Sequence, residues 1–155
     1  MKNKRKVIYW CLLIIWMSII FFMSNQPSQV SDGHSRLVVQ ILMFIGADIN
    51  SASADLANFI VRKVAHFTEY MILAYLIFNV LEFYCKDRNK LILFSIALVF
   101  MYASSDEIHQ YFIPGRECAF RDVLIDTSGG ITAIIITNIL KKITLKKRAI
   151  CVADN

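Results

Sequence analysis

Between Val7 and Ser31 the chain carries no charged residue, and the run from Val7 to Met23 is apolar or aromatic except for Ser18. As a helix that run rises about 25 Å at ~1.5 Å per residue, close to the ~30 Å hydrocarbon core of a bilayer. A soluble domain breaks its apolar residues into stripes or alternations, which this block does not do. It therefore reads as a first membrane span. The basic start, Lys2 to Lys6, would also suit a signal peptide, but the following Ser24-Asn-Gln-Pro-Ser28 has no small-x-small cleavage site, which favours an uncleaved helix.

Three more apolar blocks follow, and hydrophobic residues make up 57% of the chain. Their charge-free stretches, Tyr70 to Leu81, Leu91 to Ser105 and Thr127 to Leu140, are each too short to cross a membrane alone. Each span must therefore run on through charged residues at one end. The expected fold is an all-α integral membrane four-helix bundle, one domain over 1–155, with spans at about 7–24, 64–84, 90–106 and 122–140. The connection from 24 to 61 holds a nine-residue apolar piece, Leu37 to Ile45, too short to span. A short amphipathic or interfacial helix in this first outer loop, lying on the membrane surface or over the bundle, is the expectation.

Twelve of the seventeen Lys and Arg fall on one side: Lys2, Lys4, Arg5, Lys6, Lys86, Arg88, Lys90, Lys141, Lys142, Lys146, Lys147 and Arg148. The positive-inside rule places that side, with both termini, in the cytoplasm, and predicts a multi-pass protein of the cell membrane. Nine of the twelve acidic residues lie on the other side. The net charge of +5 does not point to nucleic acid, because the basic residues sit at block ends with no aromatic interleaving. Cys11, Cys85, Cys118 and Cys151 have neither metal-type spacing nor a disulfide pattern.

The charges that interrupt the spans recur at helical spacing. Arg62, His66 and Tyr70 follow each other at i, i+4, with Lys63 and Glu69 on adjoining edges. Asp106 stands one turn before Gln110, and Glu107 reaches Gln110 by i, i+3. Asp122, Asp126 and Gly130 stack at the start of the last span, and Gly129 with Ala133 offers a small-xxx-small contact for close helix approach. Facing lipid, each ionised group would cost about 2.5 kcal/mol or more at the span centre, so the stripes should turn inward and pair. The expected pairings set Arg62, Lys63, Arg116 and Arg121 against Glu69, Asp106, Glu107, Asp122 and Asp126. Pro114 and Gly115 predict a tight turn that aims Arg116 back over the bundle, where its fork could grip phosphate or carboxylate. His66 with Glu69 or Asp106 could ligate a metal, but only one histidine lies securely in the stripe, so neither a metal nor another cofactor is expected. His34 reads as an ordinary loop residue.

Arg62-Lys-x-Ala-His-Phe-x-Glu-Tyr-x-x-Leu73, Ser105-Asp-Glu-Ile-His-Gln-x-Phe-x-Pro-Gly-Arg116 and Asp122-Val-Leu-Ile-Asp-Thr-x-Gly129, in this order and spacing, resemble the VanZ-like family of bacterial membrane proteins. The resemblance implies a small multi-span protein and an association with resistance to glycopeptide antibiotics, teicoplanin in particular. It leaves the long 24–61 connection outside its motifs, and it implies roles for Lys63, His66, Glu69, Tyr70, Asp106, Glu107, Gln110, Arg116, Asp122 and Asp126. Membrane lipids are the expected surroundings, and an anionic, lipid-linked cell-envelope precursor the expected partner. Were there catalysis, His66 with Glu69, Asp106, Glu107 or Asp122 would supply the acid-base pair, while Arg62, Lys63, Tyr70, Gln110, Arg116 and Asp126 would bind. Whether the protein is an enzyme stays open, and the alternative is a scaffold or small transporter whose charges pair only structurally.

Overall fold

A computed structural model gives the fold, with residues 2–46, 53–116 and 118–153 described. Asp48, Glu117 and Asp154, counted above among the acidic residues, lie outside them. The elements are α1 (Lys2–Ser24), α2 (Ser28–Phe44), α3 (Ala54–Leu81), α4 (Arg88–Gln110) and α5 (Phe120–Ala153). The helices α1, α3, α4 and α5 are long and apolar enough to cross a membrane. The all-α membrane bundle expected from the sequence is therefore the observed architecture, and α2 is the extra helix in the first long connection.

The boundaries differ from the apolar blocks in an instructive way. At 28 residues α3 is about 42 Å long, more than the hydrocarbon needs, so its first turns extend beyond the apolar layer. It begins at Ala54, ten residues before the expected 64, because those turns are too polar to register as span. The basic run after Leu140 likewise marks where apolar surroundings end, while the helix itself continues to Ala153. Among the interior breaks, α4 starts where the Asp87 carboxylate accepts hydrogen bonds from the Asn89 and Lys90 amides, at 2.9 and 3.1 Å, a side-chain cap on the first turn.

The central helix is α3, which packs against all four others. Its Tyr70, Leu73, Ala74, Ile77 and Phe78 form the core with Leu13 and Ile20 of α1, Leu91, Val99 and Ala103 of α4, and Val123, Ala133 and Ile134 of α5. The closest approach is at Gly129, where an added Cβ would collide with the Phe67 carbonyl oxygen. Gly130 is nearly as tight against Val99. These two glycines let α5 lie backbone-close to α3, which sets the polar turns just above them at one depth. Trp16 donates to the Glu69 carbonyl at 3.0 Å and Tyr102 to the Met17 carbonyl at 2.8 Å, tying α1 to α3 and α4. The remaining large apolar residues of α1, Val7, Ile14, Ile15, Phe21 and Phe22 among them, face outward, as lipid-facing residues should.

The helix α2 follows Pro27 and is nearly twice the length of the apolar piece in the sequence, because its first turns are a polar face rather than a loop. It buries Ser35 and Val39 against α3 and leaves Leu37, Val38, Ile41 and Phe44 exposed. That is the division of an interfacial helix.

Candidate functional site

A helix turns about 100° per residue, so neighbouring charges on α3 must find partners on different helices. Arg62 points to α2 and pairs with Asp32 at 2.7 Å. Lys63 points to α5 and pairs with Asp122 at 2.5 Å, both side chains largely covered. One turn further in, His66 Nδ1 faces an Asp126 oxygen at 3.8 Å. That separation is electrostatic rather than a hydrogen bond. Asp126 is only 1% exposed, so the imidazole is backed by a carboxylate held away from water.

The last turn of α4 joins the remaining elements. Gln110 donates to the Ser24 hydroxyl at 2.8 Å and to Asp106 at 3.2 Å, while its amide oxygen accepts from Arg116 at 3.2 Å. Glu107 turns the other way and accepts the Ala119 amide at 3.0 Å, satisfying a backbone donor just before α5 begins. The chain reverses between α4 and α5 at Gly115, whose φ of 75° suits a residue without a side chain; a Cβ there would also meet the Ser28 hydroxyl. Arg116 then reaches back across the bundle. Its Nε donates to the Gln26 carbonyl at 3.1 Å and Nη2 to the Met23 carbonyl at 3.4 Å. Met23 belongs to the last turn of α1 and Gln26 follows just after it, where the helix dipole favours a cation. Burial, and then the nearby Arg62 charge, lower the Arg116 guanidinium from its ordinary value. Both effects favour the arrival of an anion.

Several buried acceptors in the same layer stay without hydrogen bonds among the described residues: both oxygens of Asp126, Oδ1 of Asp122, the Tyr70 hydroxyl and the Thr127 hydroxyl. Natural cores seldom leave so many together. Two cavities open beside them. The first, about 120 Å³, lies among α1, α2, α3 and α4 and is lined by Ile20, Met23, Ser24, Val38, Arg62, His66, Glu69, Asp106 and Arg116 among others. The second, about 280 Å³, is lined by Arg62, Lys63, Arg116 and Arg121 with Asp122 as its carboxylate, together with Ser28, Phe59, His66 and Gln110. Among the described residues, four cations thus surround a space holding one anionic side chain. The Phe59 ring lies 5.3 Å from the Lys63 ammonium and 5.4 Å from the Arg121 guanidinium, which positions both at the rim.

The candidate site residues named from the sequence lie toward this end of the bundle, though not always in the pairs expected. Arg62 meets Asp32, a residue of α2 that spacing along α3 could not indicate. Arg116 meets carbonyls and an amide, and among the described residues no carboxylate lies within ion-pair distance of it. Glu107 holds the start of α5 and does not touch Gln110. His34 lies on α2 and lines the first cavity, while His109 turns to Asn25 at 3.3 Å and stacks on Phe21. Ser24, Gln26 and Ser28 escaped the sequence reading, although Ser28, Ser31 and Ser35 recur at helical spacing and could have revealed a polar face. As chemistry, the arrangement offers an anion three guanidinium groups and one ammonium, and a histidine on the wall of both cavities that could exchange a proton.

A family model described as VanZ/LLP1 matches residues 9–141, which reaches from within the first span to within the fourth and includes the residues of this site. No curated protein and no solved structure matches the chain.

Proposed function

From the premise that the chain belongs to the VanZ/LLP1 family, we propose that this membrane protein binds the anionic headgroup of a cell-envelope molecule in the 280 Å³ cavity at the polar end of its bundle. The observation that carries the reading is the lining of that cavity: Arg62, Lys63, Arg116 and Arg121 against Asp122. Arg116 is central, since it faces both cavities and, among the described residues, makes its hydrogen bonds to neutral groups. On this reading the polar end faces out of the cell, the termini lie in the cytoplasm, and the ligand is lipid-linked. A role in envelope homeostasis or glycopeptide resistance would follow from retention of that ligand.

The competing reading is a bundle stapled by charge, and the 2.5 Å Lys63–Asp122 pair between α3 and α5 favours it. Titration of inorganic phosphate into the purified protein in phosphatidylcholine nanodiscs separates the two. Binding that falls at least tenfold in Arg116→Gln and is unchanged in Lys141→Gln, a cation of the opposite end, supports the site. Phosphate affinity that is absent, or equal in both variants and the parent, leaves the staple.

A further inference from the structure

The two cavities share Arg62, His66 and Arg116 as a common wall, yet they are built differently. The second is mostly polar, with Phe59 and Ala119 as its apolar side chains. The first adds to that wall Glu69 and Asp106 on one side and, over most of its surface, apolar groups drawn from three helices: Ile20 and Met23 of α1, Val38 of α2, and Val61 and Ala65 of α3. Met23 and Val38 are also exposed, and next to them Phe22 at 67% and Leu37 at 56% belong to the faces the bundle turns toward lipid. A small hydrated anion would leave this apolar surface uncovered. A molecule with a charged head and a hydrocarbon chain would cover both surfaces at once.

We infer that the first cavity is a subsite for the hydrocarbon chain of an amphiphilic phosphate-type anion, whose head occupies the four-cation cavity and whose chain leaves between α1 and α2 into the bilayer. This rests on the anion-binding reading above and adds the ligand's class and its route. The helix α2 closes the cavity on one side: it supplies Val38 to the chain and, through the Arg62–Asp32 pair, anchors the cation shared with the head. A ligand would therefore enter sideways from the leaflet. It need not carry its chain through water.

The test is a series of alkyl phosphates, methyl to octyl, titrated with inorganic phosphate against the full chain in phosphatidylcholine nanodiscs, with empty nanodiscs subtracted. Each buried methylene should tighten binding about fourfold over the first few carbons, from ~0.8 kcal/mol per methylene. Val38→Trp, which fills the apolar side, should flatten that dependence while holding the affinity for inorganic phosphate within twofold, which also reports an intact fold. Should that variant fail to fold, Ala65→Leu fills the same cavity from α3 and must flatten the series likewise. Affinity independent of chain length in the parent, or a slope that survives the filling variant, overturns the chain subsite and leaves the anion site standing. No binding of inorganic phosphate or of any alkyl phosphate removes both.

Discussion

The two ends of this bundle contain similar side chains and use them differently. At the basic end Glu82 accepts from Arg88 at 3.0 Å through one oxygen and from Lys141 at 2.5 Å through the other, and these cations also reach Asn138 and Asn79. Among the described residues, Arg88 Nη2 is the one buried side-chain atom of this cluster without a hydrogen bond. At the polar end the cations instead surround two cavities, while Asp126, Tyr70 and Thr127 keep buried oxygens without hydrogen bonds among the described residues. One cluster is a closed joint between α3, α4 and α5. The other leaves buried oxygens without hydrogen bonds among the described residues and keeps open space beside its charges, and that contrast is what the proposed binding site rests on.

Experiments can break the comparison, beginning with the largest effect. Gly129→Leu places a side chain against the Phe67 backbone, which cannot yield as a flexible side chain would. It should cost more than about 3 kcal/mol and wreck the polar end first, read as loss of the monodisperse folded species and of the tryptophan-fluorescence melting transition. Next comes sidedness, an all-or-none difference between native cysteines at the two ends. With Cys11 and Cys151 replaced by serine, an impermeant maleimide should label the exposed Cys118 in intact cells and reach Cys85 only after permeabilisation. Labelling of Cys85 first would invert the proposed orientation. The smallest effect is expected from Glu82→Gln, which weakens a partly exposed joint: about 1 kcal/mol or less of stability, with phosphate binding unchanged.

How far the sequence could foresee this depends on the range of the contact concerned. The spans were legible because a bilayer demands long apolar runs, and the polar stripes because i, i+4 spacing fixes what lies on one helix face. Gly129 with Ala133 foretold close helix approach, and Pro114 with Gly115 foretold the return of Arg116. Pairing between helices was harder. Arg62 chose Asp32 because α2 folds back onto α3, and a nine-residue apolar signal hid a seventeen-residue helix whose first turns are polar. Glu107 was misdirected by considering only its own helix, since the amide it satisfies arrives after the α4–α5 turn. The early start of α3 was masked for the same reason as that of α2: a turn that leaves the hydrocarbon loses the hydropathy by which a span is recognised.

Four cations line the second cavity beside one carboxylate among the described residues, and Asp122→Asn tests most directly whether they leave room for an anion. Removing the one carboxylate that lines the second cavity frees Lys63 and raises the local positive potential. Inorganic phosphate, titrated into parent and variant in the same nanodiscs, should then bind several-fold more tightly to the variant, about 1 kcal/mol at a partly screened site. Weaker or unchanged binding, with the melting transition preserved, would show that Lys63 and Asp122 serve only each other and that the cavity is not an anion site.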